Sequence, residues 1–290
     1  MLDKDLGDPY WTLDFLTGLP QVVRIGNNTS ANLILNTGAP RVRALLYSLF
    51  THDCTARHDF NTMIKFADDT TSVGLITDNN DTAYREEVRG QTVWCQDNNL
   101  SLNVIKTKEM IVDYRKKKTE HAPILIGEAV VEQVESFKFF GVHITNKLTW
   151  SKHTKTVVKR AQQNLFPLRR LKIFGMGPQI LKRFYSCTIE SILTGCITAW
   201  YGNCSASDRT ALQRVVPTAQ YITGAKLSAI QDLFTKRCQR KALKSVKDSS
   251  HSSHRLISLL PHGKQYQSAK SRSKRLLNSF HPQSIRLLNS

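Results

Sequence analysis

Apolar positions in the first half of the chain fall in short runs broken by turn residues. In the second half they recur every three to four residues, so the pattern predicts sheet mixed with helix first and helices afterwards. Gln21 to Ile25 and Ala31 to Leu35 flank Gly26-Asn27-Asn28, a clear hairpin signature. Asp8-Pro9 has the cap-then-proline form of a helix start, and Gly18 and Pro20 would close that short helix. Thr37 to Pro40 reads as a turn, and Leu45, Leu46, Leu49 and Phe50 as part of a helix over 44–50. Met63 to Phe66 and Val73 to Ile76 are apolar runs on either side of Ala67-Asp68-Asp69-Thr70-Thr71, which reads as strand, acidic tip, strand. A helix is expected from Asp81, with Ala83, Val88, Val93, Trp94 and Leu100 as its buried stripe and Glu86, Glu87 and Arg89 on its wet side. Strands are expected at 110–112, 123–126, 129–131 and 137–144, with Gly127 and Gly141 at turns or bulges.

After Thr149 the period changes. Val157, Val158, Ala161, Leu165 and Leu168 share one helical face while Lys152, Lys155 and Lys159 share another, and Pro167 is expected to kink or end that helix. Further helices are expected over about 177–193, from a Ser207-Asp208 cap, and from Ser228, the last with Ile230, Phe234, Ala242 and Val246 opposite Lys236, Arg237, Arg240, Lys241 and Lys244. From Asp248 onward Ser and basic residues dominate, and that composition predicts a disordered tail. The fold class expected is α+β: a mixed sheet-and-helix domain over 1–148, a basic helical region over 149–247 and a tail over 248–290.

With 290 residues, 40% of them hydrophobic, the chain can build a substantial core. No apolar run approaches the roughly 20 residues of a membrane helix. Met1 to Asp5 lacks a signal-peptide layout, so an intracellular protein, nuclear or cytoplasmic and not secreted, is expected, with no membrane partner. Six scattered cysteines with no two-residue spacing argue against a disulfide framework and against zinc. The charge is divided unevenly: residues 1–150 hold 16 basic and 19 acidic side chains, residues 151–290 hold 25 and 4. A basic half of that kind attracts polyanions, nucleic acid first among them, although basic amphipathic helices also suit membrane surfaces and partner grooves.

Asp68 and Asp69 are the candidate metal ligands. A hairpin tip can hold two carboxylates where a divalent cation bridges them, while two adjacent aspartates are also common turn residues.

Four segments, in order, resemble the reverse transcriptase of a non-long-terminal-repeat (LINE-type) retrotransposon. Phe66-Ala67-Asp68-Asp69 resembles the metal-binding hairpin of the palm. Gly38-Ala39-Pro40, followed by Leu45 to Phe50, resembles the nucleotide-pocket loop and the helix after it. Leu100 to Lys108 resembles the L-x-L-N-x-x-K-T segment, and Phe137 to Val142 the strand leading toward the thumb. The resemblance implies a partial palm built as an antiparallel sheet with helices, a helical thumb-like region and RNA and DNA as primer-template partners. It also implies Mg²⁺ or Mn²⁺ at Asp68 and Asp69, with Lys106 beside the leaving pyrophosphate. On that reading Lys152, Lys155, Lys159, Arg160, Arg169, Arg170, Lys236, Arg237, Arg240, Lys241 and Lys244 face nucleic acid.

The chain departs from the family where catalysis would need it most. The strand carrying the family's first catalytic aspartate and the fingers would precede Met1, and Pro40 is followed by Arg41-Val42-Arg43 where the family has Gln-Gly. Impaired catalysis is therefore expected. Residues 150–245 also resemble the region beyond the reverse transcriptase in these elements, and partly the segment named for the N-terminus of an alkylated-DNA-repair AlkB homologue. No His-x-Asp pair for Fe(II) and no glycine-rich cofactor loop supports 2-oxoglutarate dioxygenase or methyltransferase chemistry. The alternatives left open are a polymerase-derived protein, a salt-sensitive nucleic-acid-binding protein without catalysis and, as the lesser one, an AlkB-homologue N-terminal-like domain whose chemistry the residues do not support.

Overall fold

The computed structural model describes residues 19–35, 44–115, 121–251, 253–261, 263–268 and 273–290. The helix expected after Asp8 and the loop Gly38, Ala39 and Pro40 lie outside these residues. The chain divides into two compact units, Met1–Thr107 with Thr119–Val131, and Lys108–Lys118 with Glu132–Ser290.

In the first unit, β1 (Leu19–Gln21) pairs antiparallel with β4 (Leu33–Leu35), and β2 (Arg24–Ile25) with β3 (Asn28–Thr29). The turn between β2 and β3 uses Gly26 at φ 61°, a conformation that costs glycine little. Helix α1 (Ala44–Phe50) follows. Strands β5 (Asn61–Phe66) and β6 (Asp69–Gly74) then form the acidic hairpin, and α2 (Thr82–Asp97) packs against both of them. Pairing runs from Asn61 opposite Gly74 to Phe66 opposite Asp69.

One expectation about α2 is reversed. Glu87, assigned to its wet side, is 2% exposed, while Val93, assigned to the buried stripe, is 48% exposed. The cause is polar: Glu87 accepts hydrogen bonds from the Arg57 backbone N–H, at 2.9 and 3.2 Å from its two oxygens, and from Asn61 Nδ2 at 3.2 Å. A buried carboxylate is tolerated when such donors replace its water.

The second unit holds the main hydrophobic core. Its hairpin Ser136–Phe139/Val142–Thr145 turns through Phe140 and Gly141, both at positive φ (44° and 81°), as a type I′ turn requires. Val142 from that hairpin is part of the core with α3 (Ser151–Ile173), α4 (178–193), α5 (Ile197–Trp200), α6 (Ala206–Thr223) and α7 (Ile230–Lys247). Here α4 is a composite: Pro178–Phe184 continues through a π-helical segment, Tyr185–Glu190, into Ser191–Leu193. Ser205 caps α6, accepting from the Asp208 N–H at 3.1 Å. The Asp208 carboxylate accepts from Ser205 Oγ (2.7 Å) and from Ser151 Oγ (2.9 Å), which ties the starts of α3 and α6 together.

Four expectations change here. Pro167 does not end α3, which continues to Ile173; the proline is on the exposed face while buried Leu165 and Leu168 fasten the helix on both sides of it. The strand expected at 110–112 is reduced to Lys108–Glu109, paired in parallel with Glu132–Gln133. The unit boundary falls before the 136–145 hairpin instead of after it, because Val142 is buried among the helices. The tail is also not disordered throughout: α8 (Lys274–Leu277) and α9 (Phe280–Leu288) form, α9 packs on α7, and Phe280 and Leu287 pack against the core.

Among the described residues every sheet is two-stranded. No helix of the described residues is long and apolar enough to cross a membrane.

Candidate functional site

Asp68 and Asp69 occupy the tip of the β5–β6 hairpin, and both are exposed. The two-residue turn is Ala67-Asp68, with Ala67 at φ 50°. A turn with positive φ only at its first central position is of the II′ kind, which favours glycine there; an alanine in that region costs about 1–2 kcal/mol. Replacing Ala67 with glycine relieves that strain but adds chain entropy to the unfolded state. Ala67→Gly is therefore expected to stabilise the first unit by a net amount of about 0.5–1 kcal/mol, read by urea denaturation. A loss of stability would show that alanine is not strained there.

The hairpin is held from behind. Asn61, at the start of β5, donates to the Glu87 carboxylate and to the Ala83 carbonyl, each at 3.2 Å. Lys65 turns inward, its Nζ donating to the Thr51 and Cys54 carbonyls beyond α1. Tyr47 of α1 senses the acidic tip: burial pushes its phenol up, and Cys95, Asp68 and Cys54 add to the shift. The opposite face of the hairpin is apolar and open, with Ile64, Phe66 and Val73 at 41, 58 and 51% exposure.

Lys106 is exposed in a turn. Asn103 shapes that turn: its Oδ1 accepts from the Lys106 N–H at 3.1 Å, and its carbonyl accepts from the Thr107 N–H at 3.0 Å. This gives the N-x-x-K-T spacing a local structural reason. Among the described residues, neither hydrogen bond nor ion pair links Lys106 to Asp68 or Asp69.

The donor set for a cation at the tip stops at two carboxylates. Among the described residues no three His, Cys, Asp or Glu side chains come together as a metal-holding group. A two-ion centre needs more oxygen ligands than this, so the residues described do not by themselves fit the Mg²⁺ or Mn²⁺ pair that the motif implies.

Of the basic residues of the second unit, Lys152, Lys155, Lys159, Arg160, Arg169 and Arg170 are all exposed on α3, as are Lys236, Arg240 and Lys244 on α7. Some of them also have partners within the unit: Lys152 Nζ donates to Ser136 Oγ at 2.7 Å and Arg170 lies over the Phe174 ring at 5.2 Å. Arg237 is turned inward, its Nη1 donating to the Thr194 carbonyl at 2.6 Å, and Lys241 lies over the Phe280 ring of α9 at 4.7 Å. Periodicity put both on the polar side of α7, but the neighbouring elements that engage them are not visible in a helical wheel.

These features define an acidic β-hairpin tip in one unit and basic helical surfaces in the other. Over 240 residues, 74% of this chain, the sequence is 25% identical to a Drosophila melanogaster protein described as "Probable RNA-directed DNA polymerase from transposon BS". The aligned stretch is 26% of that relative, so the chain spans about a quarter of its length. Residues 150–191, which cover α3, the turn after it and most of α4, match the family model described as "Alkylated DNA repair protein alkB homolog 8, N-terminal". No solved structure matches the chain.

Proposed function

We propose that this chain derives from a transposon reverse transcriptase, retains the acidic hairpin of its palm over a partial α+β domain, and binds nucleic acid through its helical unit without competent polymerase activity of its own. The observation that carries the reading is the pair Asp68 and Asp69, adjacent and exposed at a two-residue turn, in a chain similar over most of its length to a transposon RNA-directed DNA polymerase. Two carboxylates supply part of what phosphoryl transfer requires; the charge developing on the transferred phosphorus is stabilised when further ligands fix two cations in place. Here Asp68 and Asp69 would hold the divalent ion that supplies Lewis acidity, and the Glu87 and Lys65 contacts keep the hairpin in position. With only those two donors, the tip suits loose single-ion binding better than a catalytic pair.

Primer extension on an RNA template with Mg²⁺ or Mn²⁺, using the full chain, tests the reading. Synthesis is expected to be no greater than that of the Asp68→Ala/Asp69→Ala variant. Robust extension by the parent chain, abolished by Asp68→Ala, would overturn the proposed loss of activity. Binding is read separately: affinity for nucleic acid should fall steeply with salt, at about 0.7–0.9 logarithmic units per phosphate neutralised.

The second alternative, a nucleic-acid-binding protein in which the acidic tip has no role, is favoured by α3, which exposes basic residues at both ends and carries no acidic one. It predicts binding unchanged in the double aspartate variant with or without Mg²⁺.

A further inference from the structure

The exposed side of α3 carries large apolar residues in line with its cations. At 3.6 residues per turn, Lys152, Lys155, Lys159, Phe166, Arg170 and Ile173 share one stripe, opposite buried Val157, Ala161, Leu165 and Leu168. Phe166 and Ile173 are 65 and 73% exposed, far out of phase with the buried face. Just beyond the helix Phe174 is 64% exposed with Arg170 over its ring at 5.2 Å, and on α6 Tyr221 is 84% exposed with Lys172 over its ring at 5.3 Å. Lys172 Nζ also donates to the Tyr221 carbonyl at 3.2 Å, which fixes that ring beside the end of α3. From Ser151 to Ile173 the helix has seven basic residues and no acidic one, and among the described residues none of Lys155, Lys159, Arg169 or Arg170 has an acidic partner at salt-bridge distance.

We infer that this stripe is a binding track for single-stranded nucleic acid, with phosphates on the lysines and arginines and unpaired bases stacked on Phe166 and Phe174. This rests on the nucleic-acid reading of the helical unit and narrows it to unpaired strands. Three observations favour that occupant. Phe166 is exposed and Phe174, held at the surface under Arg170, keeps exposed area for stacking, and stacking is indifferent to base identity. Phosphates and bases both lie open along a single strand, and Phe166 and Phe174 stand beside the cations of the stripe at its C-terminal end, whereas a duplex hides its base faces. The core of a protein interface is depleted of lysine, and a membrane-bound helix segregates its cations from its apolar face, neither of which describes α3. From Lys155 to Ile173 the stripe is about 27 Å long, at about 1.5 Å per residue, long enough for several nucleotides.

The test is fluorescence anisotropy on the full chain with a labelled dT20 strand and, in parallel, a 20-base-pair duplex across a KCl series. Phe166→Ala and Phe174→Ala, singly and combined, are expected to weaken dT20 binding by about 5- to 100-fold per stacked base while duplex binding changes less than about twofold. Lys155→Gln/Lys159→Gln is expected to weaken both and to lower the dT20 salt slope by about 1.4. The rings are exposed, so circular dichroism of the variants should match the parent. If the lysine variant loses affinity and the ring variants do not, the stacking track is wrong and the nucleic-acid reading stands. If the parent binds neither probe, both fail. If the ring variants lose binding to phosphatidylserine vesicles while the parent ignores dT20, the stripe belongs to a membrane surface and the inference is overturned.

Discussion

Lowering the pH from 7 toward 4 is expected to destabilise the helical unit, because His153 must gain a proton on unfolding. Its ring is 3% exposed, packed edge-on to Trp200 at 4.9 Å, and its Nδ1 accepts the His143 backbone N–H at 3.3 Å. Burial, and secondarily the charge of His143, hold its pKa down at about 4. The folded state therefore keeps His153 neutral where the unfolded chain, with an ordinary value near 6.5, is already protonated. More protons on the unfolded state means that stability rises with pH across that interval. The contribution is complete above about 6.5 and is lost as pH falls toward 4, about 3 kcal/mol at about 1.4 kcal/mol per pKa unit.

His143 and His281 are shifted the same way, each first by burial and then by nearby cations, so they steepen the acid limb. Urea denaturation followed by circular dichroism at pH 7, 6, 5 and 4.5 measures the limb. His153→Asn, which keeps an acceptor near the Nδ1 position, should make it shallower. An identical pH dependence in that variant would place the acid sensitivity elsewhere.

Removing the carboxylate behind the acidic hairpin should loosen the hairpin itself. Glu87→Ala strips the Arg57 N–H of its acceptor, leaves Asn61 with only the Ala83 carbonyl, and opens a void at a site that is 2% exposed. Buried donors left without partners and a truncated buried side chain together make a cost of about 2–4 kcal/mol. Glu87→Gln retains an acceptor for Arg57 and should cost about half as much, roughly 1–2 kcal/mol. Hydrogen exchange of the amides from Asn61 to Gly74 reports the effect locally. Exchange unchanged in Glu87→Ala would mean that the hairpin is held by other contacts.

The acidic hairpin could be read directly from its residues, because two apolar runs around Ala67-Asp68-Asp69 leave little else for the backbone to do. The long basic helix from Ser151 was equally legible in the spacing of Val157, Ala161, Leu165 and Leu168. Its endpoint was not: a proline ring that faces solvent can be carried through a helix packed on both sides, and a one-dimensional pattern does not say which way the ring points. Phe166 and Ile173 were visible as apolar residues out of step with the buried stripe, a signal that could have singled out the open face of α3. Glu87 had no such signal, since a glutamate set among Arg85, Glu86 and Arg89 on a helix reads as part of a wet face.

Local periodicity and charge distribution are properties of neighbours in the chain. They set where helices and hairpins form, where two aspartates meet at a turn, and which half attracts polyanions. Burial of a polar group is a property of neighbours in space. Only packing gave Glu87 the Arg57 and Asn61 donors, turned Arg237 to the Thr194 carbonyl, put Lys241 over Phe280, and gave α9 a face of α7 to cover. A charged or Ser-rich segment is free or fixed according to partners contributed by distant parts of the chain, and those partners exist only once the helices have come together.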